Sequence, residues 1–172
     1  KEGAPVYHYS ALACFAEYAV VPAQCCVKIA KEVPFEIAAV IGCAVTTGVG
    51  AVVNTGSIED FAQSMSGLGL ESSVAVYGVG GVGLCAIMGA EVAGVSRIIA
   101  IDSVLSKLEM ARQFGATDLV SSEEAVARVR ALTGGRGADF VIECVGLPKL
   151  QEECLEAIRP GGTVILAGIS PM

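Results

Sequence analysis

Hydrophobic residues follow two alternating patterns from residue 74 to the end of the chain. Short apolar runs rich in β-branched residues are each followed by a segment whose apolar positions have helical spacing. The pattern predicts strands at 74–77, 97–101, 118–120, 139–145 and 163–167, and helices at 82–93, 104–114, 122–132 and 149–158. Strands that alternate with helices of this length indicate an α/β fold with a parallel, doubly wound sheet. The run Pro160-Gly161-Gly162 is predicted to turn the chain into the last strand.

The chain before residue 74 is less regular. Residues 15–21 alternate and contain β-formers, so they predict a strand, and residues 26–29 predict a second short one. Pro34 stands where a helix over 35–40 is expected to begin, and residues 44–54 predict a further helix. The stretch 58–73 mixes polar residues and glycine with scattered apolar residues, which favours a surface loop or a short extra helix.

A glycine cluster separates the first regular strand from the helix that follows it. Gly78, Gly80 and Gly83 have the spacing G-x-G-x-x-G, and each glycine has its own purpose in a dinucleotide-binding (Rossmann) turn. Gly78 makes the sharp turn, Gly80 lets the backbone approach a pyrophosphate, and Gly83 allows the helix to lie close to the strand. The helix N-terminus then offers unpaired N–H groups and a partial positive charge to the phosphates.

An acidic residue at the end of the second regular strand supports this interpretation. Asp102 lies 19 residues beyond Gly83, where a carboxylate in dinucleotide-binding folds accepts hydrogen bonds from the adenosine ribose hydroxyls. A carboxylate there repels the 2′-phosphate of NADP, and no arginine stands at 103 or 104, so NAD is the predicted cofactor. The alternative is that Asp102 only caps the next helix.

Charge and composition narrow the classes of partner. A net charge of −7 and a small aromatic content without tryptophan argue against a nucleic-acid partner. Seven dispersed cysteines without a C-x-x-C motif indicate reduced thiols in a cytoplasmic protein. Two uncharged windows, 37–53 and 72–90, contain glycines and lack basic flanks, so covered helices and buried strands are expected there and no membrane partner is predicted.

Several motifs together resemble the zinc-dependent alcohol dehydrogenases of the medium-chain dehydrogenase/reductase superfamily. The resemblance runs from about residue 15 to the end. It rests on the Phe15-Ala16-Glu17-Tyr18 strand motif, the crossing segment 41–52, the G-x-G-G-x-G cluster, the run 132–137 and Pro160-Gly161-Gly162, in the order and spacing of the family. The resemblance implies a Rossmann coenzyme domain over residues 44–172. It also implies that residues 1–43 are a short β-containing remnant of a GroES-like catalytic domain.

The resemblance also implies roles for single residues. Cys43 would be a ligand of a catalytic zinc, since thiolate is a favoured zinc donor; the alternative is a buried core thiol. Thr47 would contact the nicotinamide, and Val82 would lie behind its ring. Lys107 would reach the adenosine ribose, unless it is only an exposed helix lysine. The other implied NAD-binding residues are Gly78, Gly80, Gly81, Gly83 and Asp102 on the adenosine and pyrophosphate side, and Val145, Gly168 and Ile169 near the nicotinamide.

The activity that the resemblance implies is the NAD-dependent oxidation of an alcohol to an aldehyde or ketone, and its reverse, with a zinc ion on the substrate oxygen. The remaining zinc ligands and the proton relay are expected upstream of residue 1. The 172-residue chain alone is therefore expected to be inactive and to bind zinc weakly, and the intact protein is expected to be a homo-oligomer. Three alternatives stay open: a zinc-free reductase of quinones or enoyl substrates, a methyltransferase, and a nucleotide-binding module without activity.

Overall fold

A computed structural model describes Cys14 and residues 16–170. The chain forms two compact units, Lys1–Phe35 and Glu36–Met172. In the first unit the described residues contain a single 3-10 turn, Ala23–Cys25, and no strand. The strands predicted at 15–21 and at 26–29 are therefore wrong. Phe15, the first residue of the predicted strand 15–21, lies outside the described residues. A segment with alternating residues forms a strand only where a neighbouring strand pairs with it and its apolar side chains are covered. Here the side chains of Tyr18, Val20 and Val27 are exposed.

A long helical stretch runs over Phe35–Thr55, and all of it except Phe35 belongs to the second unit. It comprises α1 (Phe35–Val40) and α2 (Thr46–Gly50), with wider, π-type turns at Ile41–Val45 and Ala51–Thr55. Both helices predicted here are confirmed, and the structure joins them. The expectation that the helix over 37–53 is covered on both faces is wrong, because only 17% of an apolar 18-residue window of this helix is buried. Within the described residues it is also the one helix long and apolar enough to cross a membrane, a test that core helices of soluble proteins also pass.

A five-stranded sheet forms the centre of this unit. Its strands are all parallel and follow the order β3-β2-β1-β4-β5. They are β1 (Ser73–Tyr77), β2 (Arg97–Asp102), β3 (Asp118–Ser121), β4 (Ala138–Glu143) and β5 (Ile158–Leu166). Every residue of β1 and β4 is buried, which explains their uninterrupted apolar runs.

Helices cover both faces of the sheet. They are α3 (Ile58–Gly67), α4 (Gly81–Val92), α5 (Leu105–Gln113), α6 (Ala125–Leu132), preceded by a 3-10 turn at Ser122–Glu124, and α7 (Pro148–Ala157). One apolar core joins α3, α4 and α5 to one face of the strands, and a second core joins α6 and α7 to the other face. The predicted doubly wound α/β architecture is confirmed. The stretch 58–73 proves to hold the short extra helix rather than only a loop.

The last strand differs from its prediction at its start. β5 already begins at Ile158, which pairs with Ala138, and the regular pairing resumes with Thr163 opposite Phe140. The run Pro160-Gly161-Gly162 is therefore a bulge within the strand and not a turn before it. Proline lacks a backbone N–H, and Gly161 has a positive φ of 73°, so this run cannot continue the ladder of hydrogen bonds.

Candidate functional site: a crevice at the carboxyl ends of the strands

The order of the strands reverses between β1 and β4, and a cavity of about 470 Å³ opens there. Open α/β sheets bind ligands at such a position, where the loops that leave neighbouring strands run in opposite directions. Five of the residues predicted to bind the cofactor line this cavity: Gly78, Gly80, Asp102, Lys107 and Val145. The fold thus brings together residues that are up to 67 positions apart in the sequence.

The glycine turn has the geometry that its spacing predicts. Gly78 has a φ of 85°, and its N–H donates to the carbonyl oxygen of Ile101 at 2.8 Å, which ties the turn to β2. A Cβ atom on Gly83 would collide with the Gly78 carbonyl oxygen, so α4 can approach the turn only because Gly83 has no side chain. A Cβ atom on Gly80 would meet nothing within 4 Å. The space beside Gly80 is therefore open to a ligand.

Asp102 lies at the end of β2 with its side chain 8% exposed. Its carboxylate accepts hydrogen bonds from the N–H of Val79 at 3.0 Å and from the N–H of Val104 at 2.9 Å. The ammonium of Lys107, half-exposed, is 3.9 Å from the same carboxylate. The alternative interpretation, a helix cap, is wrong, because α5 begins at Leu105 and no described side chain caps it. The bond to the Val104 N–H closes a turn before the helix, and Asp102 lines the cavity. Carboxylate oxygens have about four acceptor positions, so two remain for a ribose.

A buried carboxylate shapes the wall on the β4 side. Glu143 is fully buried, and its Oε1 accepts hydrogen bonds from the N–H groups of Val145 and Gly146, both at 2.7 Å. These bonds end β4 at Glu143, two residues earlier than predicted, and turn Val145 toward the cavity. A Cβ atom on Gly168 would lie 2.7 Å from both Glu143 Oε2 and Gly146 Cα. Gly168 and the exposed Ile169 thus pack beside the loop that carries Val145.

The predicted residues at the nicotinamide and zinc end lie outside the wall of this cavity, at or near the start of α4. They are Cys43, Thr47, Gly81 and Val82. Gly48 is buried against α4, where a Cβ atom would collide with the Val82 carbonyl oxygen. This contact brings Thr47, exposed on α2, to the helix that carries Val82. Ala44 Cβ lies 3.6 Å from the position of a Cβ atom on Gly81, so Cys43 also belongs to the segment that crosses the glycine turn.

The described residues do not make a zinc site by themselves. Cys43 is exposed, so it is not the buried core thiol of the alternative interpretation. Among residues 14 and 16–170, no three His, Cys, Asp or Glu side chains form a group that could hold a metal ion. A catalytic zinc takes about three protein ligands. The donor set around Cys43 thus does not fit a zinc ion on the described residues alone.

Glu143 and Tyr77 were not among the residues predicted from the sequence. Both are fully buried at the carboxyl ends of paired strands, and Tyr77 lines the cavity. The Tyr77 hydroxyl and Glu143 Oε2 lack a hydrogen-bond partner among the described residues, and burial raises the pKa of Tyr77 above its ordinary value. A glutamate at the end of an apolar strand was the available signal, because a buried carboxylate in such a place needs donors.

Comparison with known proteins decides the family. The model of a family described as zinc-binding dehydrogenase matches residues 81–172, which is more than half of the chain. The chain belongs to the zinc-binding dehydrogenase family. It is 38% identical to an alcohol dehydrogenase class-3 of Myxine glutinosa and 37% identical to an S-(hydroxymethyl)glutathione dehydrogenase of Photobacterium damsela, in each case over 98% of the chain.

This zinc-binding dehydrogenase chain spans less than half the length of the curated relatives that it matches: 43% and 44% for these two. Among solved structures, benzyl alcohol dehydrogenase from Acinetobacter calcoaceticus superposes with a TM-score of 0.73 at 34% identity, over 84% of this chain and 37% of that one. The alcohol dehydrogenase TADH from Thermus sp. superposes with a TM-score of 0.72 at 34% identity, over 85% of this chain and 39% of that one. The chain therefore shares the fold of part of these alcohol dehydrogenases.

Proposed function

We propose that this chain provides the NAD-binding part of a dehydrogenase that oxidises an alcohol to an aldehyde or ketone and catalyses the reverse reaction. The observation that carries the proposal is the cavity at the reversal of strand order, where the glycine turn, Asp102 and Val145 meet. The names of the relatives, alcohol dehydrogenases and S-(hydroxymethyl)glutathione dehydrogenases, support it.

The residues in the cavity fit NAD. The open space beside Gly80 at the N-terminus of α4 suits a pyrophosphate, which backbone N–H groups of that helix would bind. The free acceptor positions of Asp102 suit the two ribose hydroxyls, and Lys107 extends the polar wall on that side. We place the nicotinamide toward Val145, Gly168 and Ile169, with Val82 and Thr47 on the facing helices.

NAD, when bound, would accept the hydride that leaves the alcohol carbon. The chain's own residues position that acceptor and keep water from it: Val145 and Ile169 supply apolar surface at the nicotinamide end, and Glu143 fixes the loop that carries Val145. Cys43 is proposed as a zinc ligand of the intact protein only, since the described residues do not complete a zinc site.

Cofactor binding is tested by titrating the chain into NADH and following the cofactor's own fluorescence, which no tryptophan perturbs because the chain has none. Saturable binding of NADH, with NADPH at least about tenfold weaker, is the expected result. Binding of S-adenosylmethionine in place of NADH would instead support a methyltransferase. Equal affinity for NADH and NADPH, or no binding of either, would overturn the proposal.

The activity is tested in the protein that contains this chain. We expect NAD-dependent oxidation of simple primary and aromatic alcohols. S-(hydroxymethyl)glutathione is a further candidate substrate, because two relatives named S-(hydroxymethyl)glutathione dehydrogenase are 36% and 37% identical to this chain. A protein that reduces quinones or enoyl thioesters but no aldehyde would belong to the zinc-free branch. Metal analysis of the same sample decides whether zinc accompanies the activity.

We also infer a homo-oligomeric, cytoplasmic protein without a nucleic-acid or membrane partner. The homo-oligomer is inferred for the intact protein from the family resemblance. This chain by itself is expected to associate by another route, because β5 lies at the edge of the described sheet and its unpaired N–H and C=O groups favour pairing with another chain. The net charge of −7 disfavours binding to nucleic acid and to anionic membranes. Sedimentation at several concentrations tests the association of the chain, and a chain that stays monomeric at high concentration would contradict the expected association.

A further inference from the structure

Three arginines line a second cavity at the other end of the sheet. Arg130 on α6, Arg136 in the loop before β4, and Arg159 at the start of β5 surround a space of about 560 Å³. Of the described residues that line it, none is acidic; the others are Gly135, Leu155, Ile158 and Pro160. This cavity lies at the amino ends of β4 and β5, whereas the crevice for the cofactor lies at the carboxyl ends.

The positive charge in this cavity exceeds the negative charge beside it. Asp139 is the one described carboxylate within 4.0 Å of these arginines, and it is fully buried. Its Oδ1 accepts a hydrogen bond from Arg159 Nε at 2.6 Å, and its Oδ2 is held by the N–H and hydroxyl of Ser73 at 2.9 and 2.7 Å. Arg136 is only 3.9 Å from Oδ1. One carboxylate thus faces two guanidinium groups, and Arg130 has none.

Each guanidinium keeps hydrogen-bond donors that no described residue uses. Arg130 donates Nε and Nη2 to the carbonyl oxygen of Glu156, at 3.0 and 2.8 Å, and retains Nη1. Arg159 uses Nε on Asp139 and Nη1 on the Pro160 carbonyl oxygen, and retains Nη2. Arg136, half-exposed, donates no hydrogen bond to the described part of the chain.

The surroundings hold two of these side chains in place before any ligand arrives. The guanidinium of Arg159 lies over the Phe61 ring, 5.7 Å from its centre, in addition to its bond with Asp139. Arg130 is fixed by two bonds to one carbonyl at the C-terminal end of α7. The Thr133 hydroxyl accepts the Gly137 N–H at 3.1 Å and bonds back to the Val129 carbonyl, which orders the loop that carries Arg136. Preorganised donors lose less entropy when they bind.

We propose that this arginine-lined cavity is a binding site for a tetrahedral oxyanion, namely a phosphate group, carried by a small molecule or free. Guanidinium forks from three separate elements suit an anion with three or more terminal oxygens, whereas one planar carboxylate satisfies a single fork. The site is separate from the proposed cofactor crevice and does not depend on the function proposed above.

The test is calorimetric titration with inorganic pyrophosphate at constant ionic strength. Saturable binding is expected in the unmodified chain, and Arg136→Gln should weaken it about tenfold, the effect of one charge-assisted hydrogen bond. Arg128→Gln is the matched control, because Arg128 is exposed on the same helix as Arg130, carries the same charge and does not line the cavity. Arg128→Gln should leave the affinity within about twofold.

A further variant, Gly80→Asp, separates binding at this site from binding in the proposed cofactor crevice, which would also accept phosphates. Gly80→Asp places a carboxylate in open space beside the glycine turn, so it repels anions there without a steric clash. Pyrophosphate binding should survive in Gly80→Asp. Loss of binding in Gly80→Asp, an unchanged affinity in Arg136→Gln, or equal binding of citrate would each overturn the proposal, as would no binding at all. Arg130→Gln repeats the test if Arg136→Gln lowers the melting temperature.

Discussion

The Asp102 carboxylate accepts a hydrogen bond from the backbone N–H of Val79, at an oxygen–nitrogen distance of 3.0 Å. This bond fastens the end of β2 to the residue that follows the first glycine of the turn. The two parts of the proposed dinucleotide site, the turn for the pyrophosphate and the acid for the ribose, therefore form one unit. A change in either is expected to affect the other.

Asp102→Gly is expected to weaken NADH binding by at least about tenfold and to bring the affinities for NADH and NADPH closer together. The cause is the loss of charged hydrogen bonds to the ribose, worth about 1.5–3 kcal/mol each, and of the repulsion of a 2′-phosphate. Because Asp102 also holds Val79 and Val104, the variant should be less stable by about 2 kcal/mol. Fluorescence titration and urea unfolding measure both effects.

Glu109→Gln is the control for the charge of Asp102, because it removes one exposed negative charge from the neighbouring helix α5. It should leave the ratio of the two affinities unchanged. A similar loss of discrimination in both variants would show that the net charge, and not a contact with the ribose, sets the preference.

Gly83→Ala and Gly80→Ala are expected to fail in different ways. In Gly83→Ala the new methyl group collides with the Gly78 carbonyl oxygen, so the free energy of unfolding should fall by about 3 kcal/mol or more. In Gly80→Ala the methyl group enters open space, so the melting temperature should stay within about 2 °C of that of the parent. Gly80→Ala should nevertheless bind NADH at least about tenfold more weakly, because the methyl group keeps the pyrophosphate from the backbone. Gly80→Ala with unchanged NADH affinity would place the pyrophosphate elsewhere.

Asp139→Ala is expected to lower the free energy of unfolding by about 3 kcal/mol. Removing a buried carboxylate leaves Arg159 without its closest partner and Ser73 without the acceptor for its N–H and hydroxyl. Ser73→Ala, which removes the hydroxyl and its two buried hydrogen bonds with Asp139, should cost about 2 kcal/mol. Chemical denaturation of both variants measures the difference, and an equal cost would mean that the ion pair with Arg159 contributes nothing.

Stability is expected to fall as the pH rises from about 8 to about 10, in part because of Cys154. Burial, helped by the negative charge of Glu143, raises the pKa of Cys154 from 9.0 to about 12. The unfolded chain therefore releases this proton near pH 9 while the folded chain retains it, and the difference reaches about 1.4 kcal/mol at about pH 10. Cys154→Ala should remove roughly 1 kcal/mol of the decline between the two pH values. An unchanged decline in the variant would contradict this assignment.

The parts of the fold that the sequence predicted correctly are those whose pattern has one physical cause. β1 and β2 are covered on both faces, and a short, uninterrupted apolar run is typical of such a central parallel strand. The glycine spacing likewise follows from contacts within one turn. The strand expected at 15–21 failed because its alternation depends on a partner that the pattern does not specify. The bulge at 160–162 was missed because proline and glycine fit a turn and a bulge equally well.

Long-range contacts account for most of what the sequence did not predict at the sites. The role of Glu143 depends on two N–H groups that become free only where β4 ends, and the arginine-lined cavity joins residues of α6, α7 and β5. Asp102 was assigned either to the ribose or to a helix cap, whereas its carboxylate holds the N–H groups of Val79 and Val104 and keeps acceptor positions for a ribose. Residue spacing alone does not distinguish these uses, because it carries no information on acceptor geometry.

The pairing of β1 with β4 has a consequence for the order in which the molecule assembles. Val74 pairs with Phe140, and this contact joins parts of the chain that are 66 residues apart, while two complete strand–helix repeats lie between them. Contacts of such separation form slowly during refolding, because a long loop must close first. The wall that carries Val145 therefore exists only after this pairing, although the glycine turn is local. Recovery of NADH fluorescence should lag behind the recovery of helical circular dichroism, so the cofactor reports on the slowest part of folding.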